Sequence, residues 1–390
     1  MPLLAKQGFK GEVIATAATR ELARLVMLDS AHLQEEDAGN RERARRRQGA
    51  EETRKPLYSV VDALGSLDRF GRSAVYGRPI ELAAGLRATF IDAGHILGSA
   101  SIVLEIDESA GTSKLLFSGD LGNAARPLLR PPAPPPLADL VVMETTYGDR
   151  DHKPIGPSIA ELYDGIAGAF ARGGNVIVPT FALERAQELL FVFHEGQGQG
   201  RLSRAAQVFL DSPLAISATE IFGRHPEGLE PSVAKLIGDG GDPFRLPGLH
   251  FVRETAESIA INKVKGGAVI MAGSGMATGG RIRHHLKHNL WRAECCVVFV
   301  GYAAVGTLAR QIIDGAKTVR IFDEHIPVRI HTINGFSGHA DQSELLEWQR
   351  KTAARITFLV HGEQDTMLQF AKKLVGTQVE TPKLHQTYTF

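Results

Sequence analysis

Eight short apolar runs in this chain each end in a turn carrying an acid, a histidine, a serine or an arginine, and that pattern constrains the fold more than any other feature. The runs are LLFSGDLG, LVVMETTYGDR, VIVPTFALER, VFLDSPLA, VIMAGSGMATGGR, VVFVGYAAVGT, IHTINGFSGHAD and ITFLVHGEQD. After Ser73 they alternate with helical patterns, which is the sequence form of an α/β protein. Strand ends are rigid mounts and α/β folds collect their chemistry there, so eight exits predict one shared crevice. The glycine content, 41 of 390 residues, exceeds the ~7% average and fits many tight strand-to-helix turns.

A chain of 390 residues predicts two to three domains with a sizeable core. Its 44 basic and 44 acidic residues cancel, so no global field draws it to nucleic acid or to an anionic membrane. Any nucleic-acid contact must therefore be local. Cys295 and Cys296 are neighbours and cannot reach ordinary disulfide geometry together, which predicts a reduced, cytoplasmic chain without a cysteine-based zinc site. The longest uncharged run, Cys295 to Ala309, is 15 residues, short of the roughly 20 that a membrane-spanning helix needs. The start, MPLLAKQGFKG, has no secretory pattern.

From Ala15 to Arg54 the pattern is helical. Arg41, Arg43, Arg45, Arg46 and Arg47 form either an RNA-binding cluster or, with Glu35, Glu36, Asp37 and Glu42, a solvated charged face. Pro127 to Pro136 reads as a stiff extended connector between two strands.

Of 14 histidines, most carry no pattern, His152 among them. His284, His285 and His288 share a helical face that suits either a metal or plain solvent. Three others sit in glycine-rich turns at strand ends: His95 in FIDAGHILGSAS, His339 in GFSGHAD and His361 in FLVHGE. Asp120 in FSGDLG is a strand-end carboxylate that could bridge two cations or merely cap a turn. Together His95, Asp120 and His361 offer the His/carboxylate set used in zinc hydrolysis.

DAGHILGSAS, FSGDLG, METTYGDRDH, PTFALERAQE, DSPLA, SGMATGGR, GYAAVGTLARQ, GFSGHADQ and LVHGE occur in that order. In these motifs the chain resembles the β-CASP branch of the metallo-β-lactamase fold, which includes the RNase J enzymes and the pre-mRNA 3′-end cleavage endonuclease. The resemblance implies an α/β fold: a metallo-β-lactamase αββα sandwich, N-terminally incomplete, with an inserted α/β β-CASP domain. Residues 1–150 would be the first part of the sandwich, 151–318 the insert and 319–390 the return. It implies zinc-dependent RNA cleavage, with His95 on a first zinc, Asp120 bridging, and His361 on a second. Glu144 and His339 would join Asp120 as catalytic residues, and Ser337 would touch phosphate. Ser274 and Arg281, in the SGMATGGR loop, either hold a phosphate or belong to a tight turn capping a helix at Thr278. Single-stranded RNA would be held by Arg150, Arg185, Arg281 and Arg310, unless Arg185 and Arg310 pair with nearby carboxylates. A homodimer is a further family-level expectation.

One departure stands out. The family's His-x-His-x-Asp-His segment, expected just before "PLL", is absent from the 390 residues. Each zinc would then keep two protein ligands, below the three of catalytic sites, and part of a sheet edge and core would be exposed. The expectation is weak zinc binding and little nuclease activity in this polypeptide. Two origins compete: a hydrolase whose start lies upstream of this Met1, or a non-catalytic relative that binds RNA or an active subunit. Small-molecule metallo-hydrolase chemistry is a third reading, against which METTYG and GFSGHAD stand.

Overall fold

The computed structural model describes residues 1–46, 55–109, 111–329, 331–335 and 337–389 of the chain. Two compact units are present, Met1–Arg78 and Pro79–Phe390, so the expected first segment, 1–150, is divided at Arg78. In the smaller unit, strand β1 (Val13–Thr16) runs parallel to β2 (Phe70–Ala74). The long helical pattern begins at Ala17, because the β-branched residues Val13, Ile14 and Thr16 take the extended form first. That helix runs to Arg46; the side chains of Arg41, Arg43, Arg45, Arg46 and Arg47 lie outside the described residues. A capping box between Ser59 and Asp62 starts the helix Val60–Ser66. Leu22, Ala31, Ala63 and Phe70 are buried, whereas Leu33, Leu57 and Val61 are exposed.

The larger unit holds β3 (Pro79–Ala83), β4 (Leu86–Asp92), β5 (Ala100–Glu108), β6 (Gly111–Phe117), β7 (Leu140–Glu144), β8 (Val176–Pro179), β9 (Gln207–Asp211), β10 (Leu249–Phe251), β11 (Ala268–Ala272), β12 (Cys296–Val300), β13 (Thr318–Ile321), β14 (Glu324–Pro327), β15 (His331–Gly335), β16 (Ile356–Val360) and β17 (Gln378–Glu380). Seven form one sheet, ordered β17-β16-β7-β6-β5-β4-β3. Six form another, ordered β10-β9-β11-β8-β12-β15, with every pair parallel. The core strands VIVP, AVIMA and CVVFV of that second sheet are buried throughout, as in parallel sheets covered on both faces.

In the seven-stranded sheet the period-2 alternation sorts the two faces. Val141, Met143 and Leu359 point one way, onto Leu345, Trp348 and Phe370 of the helices Gln342–Thr352 and Gln364–Ala371. Leu140, Ile356 and Phe358 pack on the other face with Tyr388. The edge strand β3 is exposed along nearly its whole length.

The proline-rich connector spans β6 to β7 without regular structure and buries Leu128 and Leu129 at its start. The return expected at residue 319 comes later. Val319, Ile321 and Ile326 of the β13–β14 hairpin pack with Ile177, Phe299 and Leu286, and β15 pairs with β12. The apolar side chains of this stretch thus complete the core of the six-stranded layer before the chain leaves it. Among the described residues no helix is long and apolar enough to cross a membrane.

Candidate active site

The direction of the strands decides which side chains meet. Strands β6, β7 and β16 are parallel, and β4 is antiparallel to β5, which is antiparallel to β6. So β4, β6, β7 and β16 all end on the same rim. Their exits carry His95, Asp120, Glu144 and His361. His339 reaches that rim from the loop after β15, where Gly122 and His339 form an isolated antiparallel bridge. The exits from β8, β9, β11 and β12 belong to the six-stranded sheet, and of these the β12 exit reaches the seven-stranded rim, where Tyr302 lines one cavity with Tyr147 and with Ser337 of the β15 exit.

Close backbone approach sets the geometry. Gly122 N–H donates to the Ala93 carbonyl at 2.8 Å, and a Cβ at Gly122 would lie 1.8 Å from the Gly94 oxygen. No other residue fits there, and the contact draws the Asp120 turn against the His95 turn. Within the latter, Ser99 Oγ accepts from the N–H groups of His95 and Ile96 at 3.1 and 3.2 Å.

His95 Nδ1–H donates to the Gly338 carbonyl at 3.3 Å, leaving Nε2 with its lone pair, 3.8 Å from Asp120 Oδ2. Burial, then the positive fields of His339, Arg126 and Arg185, holds the His95 imidazole down to about 2, so it is neutral. The other Asp120 oxygen lies 3.2 Å from His361 Nδ1, which also meets Thr146 Oγ1 at 3.2 Å. Burial, then the Glu144 charge, pushes the Asp120 carboxyl up. A neutral imidazole nitrogen with a free lone pair and a carboxyl oxygen face each other at 3.8 Å, too far apart to be bonded to one another, and a cation between them would satisfy both. The donor set therefore fits a divalent metal. His339 adds a donor atom: His95, Asp120 and His339 each place one within 4.8 Å of the other two.

Glu144 is 1% exposed and accepts His339 Nδ1–H with both oxygens at 3.1 Å. Leu121 N–H and Thr146 N–H also donate to that carboxylate. The His95 and His339 rings are 4.3 Å apart, and His339 and His361 are 5.9 Å apart. Ser337 Oγ accepts from His339 N–H at 3.3 Å and lines a cavity of about 410 Å³. Tyr147, Arg150, His152, Tyr302 and Arg310 share that lining.

His152, which no pattern singled out, donates through Nε2 to the His339 carbonyl at 3.0 Å. Its only sequence signal is its place at the end of METTYGDRDH. Arg126 was also missed, a lone arginine before a proline run with no motif around it.

The expected RNA contacts are differently occupied. Arg150 pairs with Asp149 at 2.8 Å, Arg185 with Glu188, and Arg310 with Asp314. Arg281 donates to Asp211 at 2.7 Å and to the carbonyls of Val252 and Arg253. It is a strut within the six-stranded layer. Ser274 Oγ stays within its own loop, near Thr278 Oγ1 and the Gly279 N–H. The following helix starts at Ile282 behind Arg281, not at Thr278. His285, expected on a solvent face or a metal site, is fully buried between Asp211 (2.7 Å) and Asn262 (3.0 Å).

Comparison with known proteins agrees with this arrangement. Residues 186–312 match the family model of the Beta-Casp domain, and residues 323–382 match that of the Zn-dependent metallo-hydrolase RNA specificity domain. A ribonuclease of Thermus thermophilus is 39% identical over 96% of this chain and 80% of its own length. The transcription termination factor FttA of Methanocaldococcus jannaschii is 32% identical over 98% of the chain, which spans 60% of that protein. An RNase J-like protein of the same organism is 32% identical over 76% of the chain and 68% of its own length. The rim of strand-end histidines and acids, the second parallel sheet and these relatives agree: the chain belongs to the β-CASP family of metallo-β-lactamase-fold RNA hydrolases.

Proposed function

We propose that this chain carries the hydrolytic centre of an RNA-processing ribonuclease that cuts phosphodiester bonds in single-stranded RNA. The observation that carries the reading is the convergence of His95, Asp120 and His361 on one rim with a histidine, His339, already bonded to a buried glutamate. His95, Asp120 and His361 would hold zinc, with Asp120 shared between two positions. Zinc bound there would supply Lewis-acid neutralisation of the charge that develops on phosphorus.

The chain's own residues do the rest. Glu144 fixes the His339 tautomer and ring orientation by accepting Nδ1–H, which leaves Nε2 facing outward to pass a proton to the leaving oxygen. The two backbone N–H groups keep Glu144 itself in place. Beside it, the cavity of about 410 Å³ falls within the ~300–1,000 Å³ of ligand pockets. Tyr302 and Ser337 on its wall supply an aromatic ring and a hydroxyl for one nucleotide.

Among the described residues, His95 and Asp120 would serve one zinc position and Asp120 and His361 the other, with His339 Nε2 kept for the proton rather than for the metal; catalytic zinc sites hold three protein ligands. We therefore expect loosely held zinc and cleavage only with excess metal. The same count favours a second reading, a non-catalytic RNA-binding or partner subunit. End-labelled RNA incubated with the chain, with excess zinc and with chelator, separates them. Chelator-sensitive cutting supports the hydrolase; RNA retained but uncut at every zinc level overturns it.

A further inference from the structure

Behind the two histidine turns lies a buried group of four charges that the chemistry above does not use. Arg126 is 2% exposed and sits at its centre. One guanidinium nitrogen donates to the carbonyls of both Gly94 and His95. The other two reach Glu184 and Glu188, both 2% exposed. Glu188 also holds Arg185, and that guanidinium lies under Gly338, where a Cβ would meet its nitrogen at 3.2 Å. The Gly338 carbonyl, in turn, is the acceptor of His95 Nδ1–H, and Gly338 adjoins His339. Glu184, Arg185 and Glu188 stand at the start of the helix Arg185–Gly198, which follows β8 of the six-stranded sheet.

We propose that Arg126 is a positioning residue: through Glu184, Glu188 and Arg185 it locks the His95 turn and the His339 loop to one helix of the six-stranded layer, fixing how the two imidazoles face Asp120. The energetics favour alignment over stability as its use. Burial pushes the Glu184 carboxyl up to about 7 despite Arg126 and Arg185, and a buried ion cluster is on balance no more stabilising than apolar side chains of the same volume. What it supplies is direction. Arg126 has acceptors on two elements, and only a planar fork of five donors can serve them together. A lysine keeps the charge but has a single nitrogen to share. The inference goes beyond the proposed RNA cleavage, since the alignment is a property of the chain without substrate.

The full chain labelled with ¹³C-histidine tests it by NMR, with His95→Gln and His339→Gln used to assign the two signals. Arg126→Lys should move the His95 and His339 imidazole signals and leave His250 unmoved. His250 lies on β10, at the far edge of the six-stranded sheet from β15, roughly 24 Å across five strand spacings. Gly338→Ala, which crowds the Arg185 guanidinium without changing any charge, should move the same two signals and decides the matter if Arg126→Lys does not fold. In RNA cleavage at excess zinc, both variants should lower kcat by about 10- to 100-fold with KM unchanged. Signals of His95 and His339 that coincide with the parent chain overturn the proposal, as does a shift of His250 of equal size. If no version cuts RNA, the cleavage reading fails while the NMR criterion still decides the positioning.

Discussion

Asp120 and Asp211 both stand at the exit of a strand beside histidines, and only one of them is finished. Asp211, at the end of β9, is fully buried and takes donors from Ser258 (2.5 Å), His285 (2.7 Å) and Arg281 (2.7 Å). Burial alone would push its carboxyl up, but His285, Ser258 and Arg281 outweigh that and hold it below the usual range. Asp120, after β6, keeps 40% of its side chain exposed and faces His95 and His361. Its carboxyl is raised, by burial first and then by Glu144. The same residue types therefore serve opposite ends. Where every acceptor has its donor, the cluster ties a fold together; where acceptors face each other, it awaits a cation or a substrate.

That contrast can be broken in several places. The largest effect is expected on the open rim: His339→Ala should lower kcat for RNA cleavage at excess zinc by about 10²- to 10⁴-fold, with a smaller loss of stability than on the closed rim, since two backbone N–H groups still hold Glu144. On the closed rim the loss should be of stability. Asp211→Ala leaves Arg281 and His285 without their buried partner and should cost about 3–5 kcal/mol in urea unfolding, with zinc binding intact. The pH dependence has a definite sign. Because the folded carboxyl of Asp211 is depressed, its contribution is intact above the unfolded pKa of ~4 and lost as pH falls through the folded value. Asp211→Asn should accordingly flatten the acid limb of the stability profile below that pH.

Arg281→Ala should cost about 1.5–3 kcal/mol, the range for hydrogen bonds to charged groups, and leave RNA affinity unchanged at low and high salt. A reduced salt dependence would restore Arg281 as a phosphate contact. Smallest of all, Arg310→Ala removes an exposed pair with Asp314 and should change stability by about 0.5 kcal/mol or less.

Much of this was legible in the residues. The strand exits are motif-bearing turns, and glycine beside histidine marks where the chain must bend: His361 itself takes a positive φ of 49°, and a Cβ on Gly362 would lie 2.3 Å from Thr145 Oγ1. Such local constraints leave a mark in sequence. Partner choice across the fold does not. Arg281 caps, and His285 stands on, a basic helix, and nothing near them discloses that Asp211, some seventy residues earlier, lies between their donors. Arg126 is hidden for the same reason, since its acids come from a helix on the other sheet. The late return of the chain after β15 was equally hidden, because IHTING reads as a strand for either sheet.

In the proposed function Asp120, and not Asp211, organises the metal-binding rim. Zinc titration by calorimetry, run on the parent chain, Asp120→Asn and Asp211→Asn under conditions where each is folded, tests it most directly. Zinc should bind the parent weakly enough to be lost on dialysis, bind Asp211→Asn equally, and not bind Asp120→Asn. Undiminished zinc binding by Asp120→Asn would contradict it.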